Sequence, residues 1–116
     1  MIKRKRDLEE LAIKSCKGGL GTISRWTYLD KALDAVNLNM ICVVNLSPGS
    51  SIGEHEHLYT HEAYYIIGGS GLYSEGAGDV EVGKGDLMIV EAGGKHSLRN
   101  EGPAELEVFI FSCQFK

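Results

Sequence analysis

From residue 39 onward the chain is a series of short apolar runs cut by glycine. Turns are read at Ser47-Pro48-Gly49, Gly68-Gly69-Ser70-Gly71, Gly76-Ala77-Gly78-Asp79, Gly83-Lys84-Gly85-Asp86, Gly93-Gly94 and Asn100-Glu101-Gly102-Pro103. Strands bounded by such turns every ~8–12 residues argue for an antiparallel sandwich or barrel. The expected strands cover residues 22–28, 39–46, 50–57, 62–67, 72–75, 80–82, 87–90, 96–99 and 104–113. Ahead of them, residues 2–6 carry four consecutive bases and read as a solvated arm or a short edge strand kept soluble by charge. Asp7 is placed to N-cap a single helical turn over residues 7–11, reaching as far as Lys14. The Gly18-Gly19-Leu20-Gly21 stretch lacks the GK[ST] ending of a phosphate loop and precedes a strand, so it reads as a turn. Lys31–Asn37 reads as a connection.

The chemistry concentrates in two stretches. Three of the four histidines, His55, His57 and His61, fall within residues 55–61, followed at once by Glu62; the fourth is His96. On a strand, residues two apart point to the same face, so His55 and His57 project together. Glu62 opens the next apolar run, where it can turn inward, and His96 arrives from a distant strand. Imidazoles with a carboxylate suit zinc, iron, manganese, nickel or cobalt.

These residues carry a resemblance. Gly49, His55, His57, Glu62 and Gly69 match the pattern G-x5-H-x-H-x3–4-E-x6-G. Gly85, Gly93, His96 and Asn100 match G-x5-P-x-G-x2-H-x3-N, with Glu91 standing where the proline would be. The chain resembles the small single-domain cupins, of the kind similar to mannose-6-phosphate isomerases. That resemblance implies an all-β jelly-roll barrel, with residues 1–30 as an arm and first strand packed on it and residues 31–116 as the barrel. It implies one divalent transition metal (Mn, Fe, Zn, Ni or Co) bound by His55, His57, Glu62 and His96, and a homodimer. Glu91 loosens a turn that proline would stiffen; it reads as a solvated loop residue, with a hydrogen bond to a ligand imidazole as the alternative.

Around that site, Tyr64 and Ile66 share parity with Glu62 and Leu98 with His96, so all three should face the pocket. His61 and Tyr64 are the candidate acids or bases. Arg25 is read as a surface strand residue, with a role in binding a substrate carboxylate or phosphate as the alternative.

A chain of 116 residues is one domain and large enough to bury a core without staples. The net charge of −4 excludes a nucleic-acid footprint, and no apolar run approaches the ~18 residues of a membrane span. The basic start has no apolar core of a signal peptide. Three cysteines, an odd number without a CxxC pair, suit a reducing cytoplasm. The expected function is metal-dependent chemistry on a small oxygen-rich metabolite: sugar or sugar phosphate isomerisation, dioxygen-dependent oxidation, or decarboxylation. The alternative is a non-catalytic metabolite-binding or sensor barrel.

Overall fold

The structure is a computed structural model and describes residues 1–30 and 37–114. Its strands are β1 (Glu10–Lys14), β2 (Thr22–Leu29), β3 (Leu38–Leu46), β4 (Ser51–Glu56), β5 (Thr60–Gly68), β6 (Ser70–Ser74), β7 (Asp79–Gly83), β8 (Leu87–Val90), β9 (Lys95–Arg99) and β10 (Leu106–Gln114). A six-stranded sheet has the order β1-β2-β3-β10-β5-β8, and a four-stranded sheet the order β4-β9-β6-β7. Every pairing is antiparallel. The two sheets form the all-β jelly roll expected from the glycine-cut pattern. Residues 1–30 contribute β1 and β2 to the larger sheet, hydrogen-bonded to the rest through β3.

Alternation explains how each strand serves two surfaces. In β10, Leu106, Val108, Ile110 and Ser112 are buried, while Phe109 and Phe111 lie on the other face, half-exposed. Partners across the sheet line up in inward rows. Ile23, Leu46 and Leu106 form one row, Arg25, Val44, Val108 and Ile66 the next, and Thr27, Cys42, Ile110, Tyr64 and Met88 the third; Met40, Ser112, Glu62 and Val90 form the last. The rows therefore run from wholly apolar at one end of the barrel to polar at the other. Each fully buried Val, Leu or Ile stabilises the fold by roughly 1.5–3 kcal/mol relative to its exposed state. The apolar end carries most of that burial.

Asn100 closes this end. Its side-chain amide donates to the carbonyls of Leu46 and Ala104, both at 2.8 Å, and its carbonyl accepts from the Gly102 N–H at 3.0 Å. The asparagine thus ties the turn after β9 to the end of β3.

The N-terminal segment differs from its expected form. The helical turn lies earlier, as a 3-10 turn at Lys5–Asp7, with no side-chain cap. The residues read as its continuation are strand β1 instead. Pairing decides this: Leu11 opposes Arg25 and Ile13 opposes Ile23, and Ile13 packs on the core. Five paired residues outweigh the weak helical preference of one Asp-led turn. β5 also starts earlier than expected, because Thr60 and His61 pair with Gln114 and Cys113. The connection read at residues 31–37 falls, except for Asn37, outside the described residues.

Candidate metal centre

His55, His57, Glu62 and His96 come together at the polar end of the barrel. One donor atom from each lies within 4.8 Å of the others, a set that could hold a metal ion. Three structural elements bring them there. β4 supplies His55, with His57 immediately after it; β5 supplies Glu62; β9 supplies His96. The ladder of β4 on β9 pairs Ile52 with Leu98 and His55 with His96, three steps on one strand against two on the other. A β-bulge at Gly53-Glu54 absorbs the extra residue. It lets Ile52 and His55 both face inward although they are three apart. Gly53 must be glycine, because a Cβ there would fall on the carbonyl of Lys17 in the 3-10 turn Cys16–Gly18. His57 is then fixed by backbone hydrogen bonds to the turn before β9: its N–H donates to Gly94 at 2.9 Å and its carbonyl accepts from Gly93 at 2.5 Å.

The outward nitrogens of the three imidazoles are all engaged. His55 Nδ1 lies 2.8 Å from the Gly53 carbonyl, His57 Nδ1 3.1 Å from the Thr60 hydroxyl, and His96 Nδ1 3.1 Å from the Tyr73 hydroxyl. A carbonyl only accepts, so His55 Nδ1 carries its proton. Tyr73 donates to Glu75 Oε1 at 3.1 Å, so its oxygen accepts from His96 Nδ1. The Nε2 atoms of His55 and His96 therefore present lone pairs inward. There His57 Nε2 and His96 Nε2 stand 3.1 Å apart, and Glu62 Oε1 lies 2.9, 3.1 and 3.9 Å from the Nε2 atoms of His57, His96 and His55.

Lone pairs and a carboxylate oxygen converging at these distances repel unless positive charge sits among them. Protons are one solution. Burial alone would push the Glu62 carboxyl up, but hydrogen bonds from His55, His57 and His96 outweigh it and hold the group far below the usual carboxylate range. On His55 and His96, whose Nδ1 atoms already carry protons, a second proton makes an imidazolium ion, and burial pushes His96 below its ordinary value, against the pull of Glu62. A divalent cation would be held by His55, His57, Glu62 and His96 together with each imidazole neutral, and the Nδ1 contacts orient the rings for it. The donor set fits such an ion.

His55, His57 and Glu62 open onto a cavity of about 280 Å³, with His96 buried behind them. Tyr64 lines it, as expected, with its ring stacked on His96 at a centroid distance of 4.5 Å, and burial pushes its phenol well above the ordinary value. Ile66 and Leu98 are wholly buried in the core beneath and do not line the cavity. Its apolar wall comes from Ile23, Val44, Ile52 and Ile110 instead. His61 lies on the opposite face of β5 from Glu62; its Nδ1 accepts the Ala92 N–H at 3.0 Å, and it is not part of the lining. Glu91 is exposed, on a groove shared with Glu75 and Lys95.

Arg25 is a correction. Expected at the surface, it lines the cavity, because it shares the inward parity of Ile23, which is 1% exposed. That parity was the signal available: an isoleucine two residues before an arginine on one strand, the first inward. Lys17 also lines the cavity, brought over the mouth by the 3-10 turn. Nothing in the sequence pattern marked it, nor the supporting hydroxyls: Tyr73 reaches His96 from a different strand, and Thr60 meets His57 across the short turn between β4 and β5.

The chain belongs to the cupin family. A model of the cupin domain matches residues 42–112. An oxalate-binding protein from Thermotoga maritima is 31% identical over 107 residues, covering 92% of this chain and 88% of that protein. The solved structure of a predicted oxalate decarboxylase from Thermotoga maritima matches with TM-score 0.93 and 29% identity, over 99% of this chain and 100% of that one. A cupin-2 domain from Rhodospirillum rubrum shares the fold at 17% identity, with TM-score 0.77 over 97% of this chain and 74% of that one.

Proposed function

We propose that the chain binds one divalent transition metal (Mn, Fe, Zn, Ni or Co) through His55, His57, Glu62 and His96, and acts through it on a small acid of the oxalate class. The observation that carries this reading is the convergence of inward Nε2 atoms on Glu62 beneath an open cavity. Four protein donors leave two positions open on a six-coordinate ion, and a dicarboxylate fills two through one oxygen of each carboxylate. When bound, the metal would supply Lewis acidity that polarises the ligand carboxylate. A cavity of about 280 Å³ suits a ligand of few atoms. The oxalate-related names of two Thermotoga proteins support the same class of ligand.

The sugar phosphate alternative draws less support. Of the bases weighed for a phosphate, Arg25 lines the cavity, with Lys17 beside it, while Lys84, Lys95 and Arg99 do not. Arg99 is already paired, at 2.6 Å to Asp79 and 2.7 Å to Glu101.

Decarboxylation converts oxalate and a proton to formate and carbon dioxide. Among the described residues lining the cavity, Glu62 is the only carboxylate, so the proton for carbon would come through Tyr64, Lys17 or water. The same lining supports a second reading, binding without turnover, as in a metabolite carrier or sensor. The half-exposed outer face of the six-stranded sheet bears Phe109 and Phe111, with Tyr65, Ile67, Leu87 and Ile89 exposed beside them. We read it as a homodimer surface. Cys16, Cys42 and Cys113 are free thiols, consistent with a cytoplasmic protein. Among the described residues, no helix is long and apolar enough to cross a membrane.

The test combines elemental analysis with calorimetric titration of oxalate into the metal-loaded protein and an assay for formate. Wild type should hold about one equivalent of metal and bind oxalate, and Glu62→Ala should do neither. Formate production would assign catalysis, and tight binding without formate would assign a carrier. Oxalate bound equally by the metal-free Glu62→Ala protein would sink the metal-centred reading.

A further inference from the structure

We propose that Arg25 is the specificity-determining residue of the cavity: its guanidinium clamps the distal oxygens of a dianionic ligand held at the metal centre, so that dicarboxylates are selected over monocarboxylates. This inference rests on the metal-dependent acid binding proposed above and names how that ligand is recognised.

Three observations carry it. First, Arg25 Nε is buried with no hydrogen-bond partner, and Arg25 forms no ion pair with any described residue. A buried donor on a charged group is left unmet only at considerable cost, so a partner from outside the chain is the simplest resolution. Second, among the described residues Arg25 is the only polar side chain that β2 presents to the cavity. It stands on an apolar wall, with Ile23 of the same strand beside it and Val44 and Cys42 on the neighbouring strand. Third, the charge of the cavity suits a dianion. Its lining holds Lys17 and Arg25 against the single carboxylate Glu62. A divalent cation at the four donors raises that excess further, and a monocarboxylate would offset only half of what a dicarboxylate does.

The geometry of chelation supplies the division of labour. A dicarboxylate that gives one oxygen from each carboxylate to the metal keeps two oxygens pointing away from it. The planar fork of arginine matches a pair of oxygens, whereas an ammonium meets them as a point charge. A monocarboxylate that binds the metal has no second pair for the fork.

The test uses wild type, Arg25→Gln and Arg25→Lys, each loaded with Mn²⁺, with metal content measured alongside titrations of oxalate and of acetate. Metal content should be unchanged in both variants. Oxalate affinity should fall by at least ~10-fold in Arg25→Gln, with a smaller loss in Arg25→Lys, which keeps charge without the fork. Acetate affinity should change little, so the oxalate-to-acetate ratio should collapse. Unchanged oxalate affinity in Arg25→Gln overturns the clamp while leaving the metal-centred reading intact. Loss of metal in Arg25→Gln also overturns it, by assigning the residue to support of the donors. Wild-type protein that holds metal yet ignores oxalate removes both readings together. If a variant lacks a cooperative thermal transition, phenylglyoxal modification of the wild type decides. Oxalate with Mn²⁺ should protect Arg25, mapped by peptide mass, and modification at an unchanged rate overturns the clamp.

Discussion

The two ends of this barrel are built from the same strands and do opposite things. At one end Leu46 and Leu106 pair across the sheet, both wholly buried, and Asn100 ties the turn above them to the end of β3. At the other, the same strands deliver Ser112 and Glu62 beside an open cavity. Along β5 the inward residues change from Ile66 to Tyr64 to Glu62; along β9 they change from Leu98 to His96. The lesson is a division of duty along each strand rather than between strands. The packed end holds the register, and the register aims the donors at the open end.

If that division holds, damage at each end should have separable signatures. The largest effect is expected at the donors: Glu62→Ala or His96→Ala should abolish metal retention, read by elemental analysis, in a protein that still melts cooperatively. Leu106→Ala strikes the opposite end and should destabilise by about 2–5 kcal/mol in urea denaturation, with metal stoichiometry unchanged while folded. Equal metal loss in Leu106→Ala would show that the ends are not separable. Asn100→Ala orphans two carbonyls and should cost about 1–3 kcal/mol by the same measurement. Gly53→Ala sharpens the boundary between the ends. It should displace the turn at Cys16–Gly18, at about 1–3 kcal/mol, and weaken ligand binding more than metal binding. The smallest effect lies in alkali. Burial pushes the Cys42 thiol up from 9.0 to about 12. The folded chain keeps a proton that the unfolded chain releases, so this contribution is complete below pH 9 and is lost as pH rises through about 12. Across that window the thiol should lower stability by about 1.36 kcal/mol per pH unit. Cys42→Ala should flatten the slope of denaturation midpoint against pH by that one proton.

Much of this arrangement was legible in the sequence because motif spacing encodes backbone geometry. Gly49 and Gly93 both sit at positive φ, 86° and 93°, just before the strands that carry donors. A glycine at those places is a statement about conformation, not about chemistry. The pairing of His55 with His57 followed from strand parity, and the strand pattern followed from the turns. Three things were not legible. The first strand was read as helix because its partner, β2, lies beyond an intervening glycine-rich turn, and local preference cannot see a ladder. Arg25 was read as exposed because arginine usually is, although its parity with Ile23 pointed inward. Leu98 and Ile66 had the right parity for the pocket but the wrong depth. Parity gives the face of a strand, and only the three-dimensional closure of the barrel says how far along that face the cavity extends.

The bulge in β4 has one more consequence. The segment Glu54-His55-Glu56-His57 alternates acid and imidazole, so it contains two complete alphabets interleaved. With Ile52 anchored inward, a regular strand would turn Glu54 and Glu56 toward the centre and leave both histidines in water. Such a site would set three carboxylates beside His96, an oxygen-rich set that leans toward harder cations. The one extra residue shifts the reading frame, and the contact between Gly53 and the turn at Cys16–Gly18 holds it in place. The choice between a carboxylate-rich and an imidazole-rich site is thus made by the phase of the backbone, with no change in the letters that phase selects from.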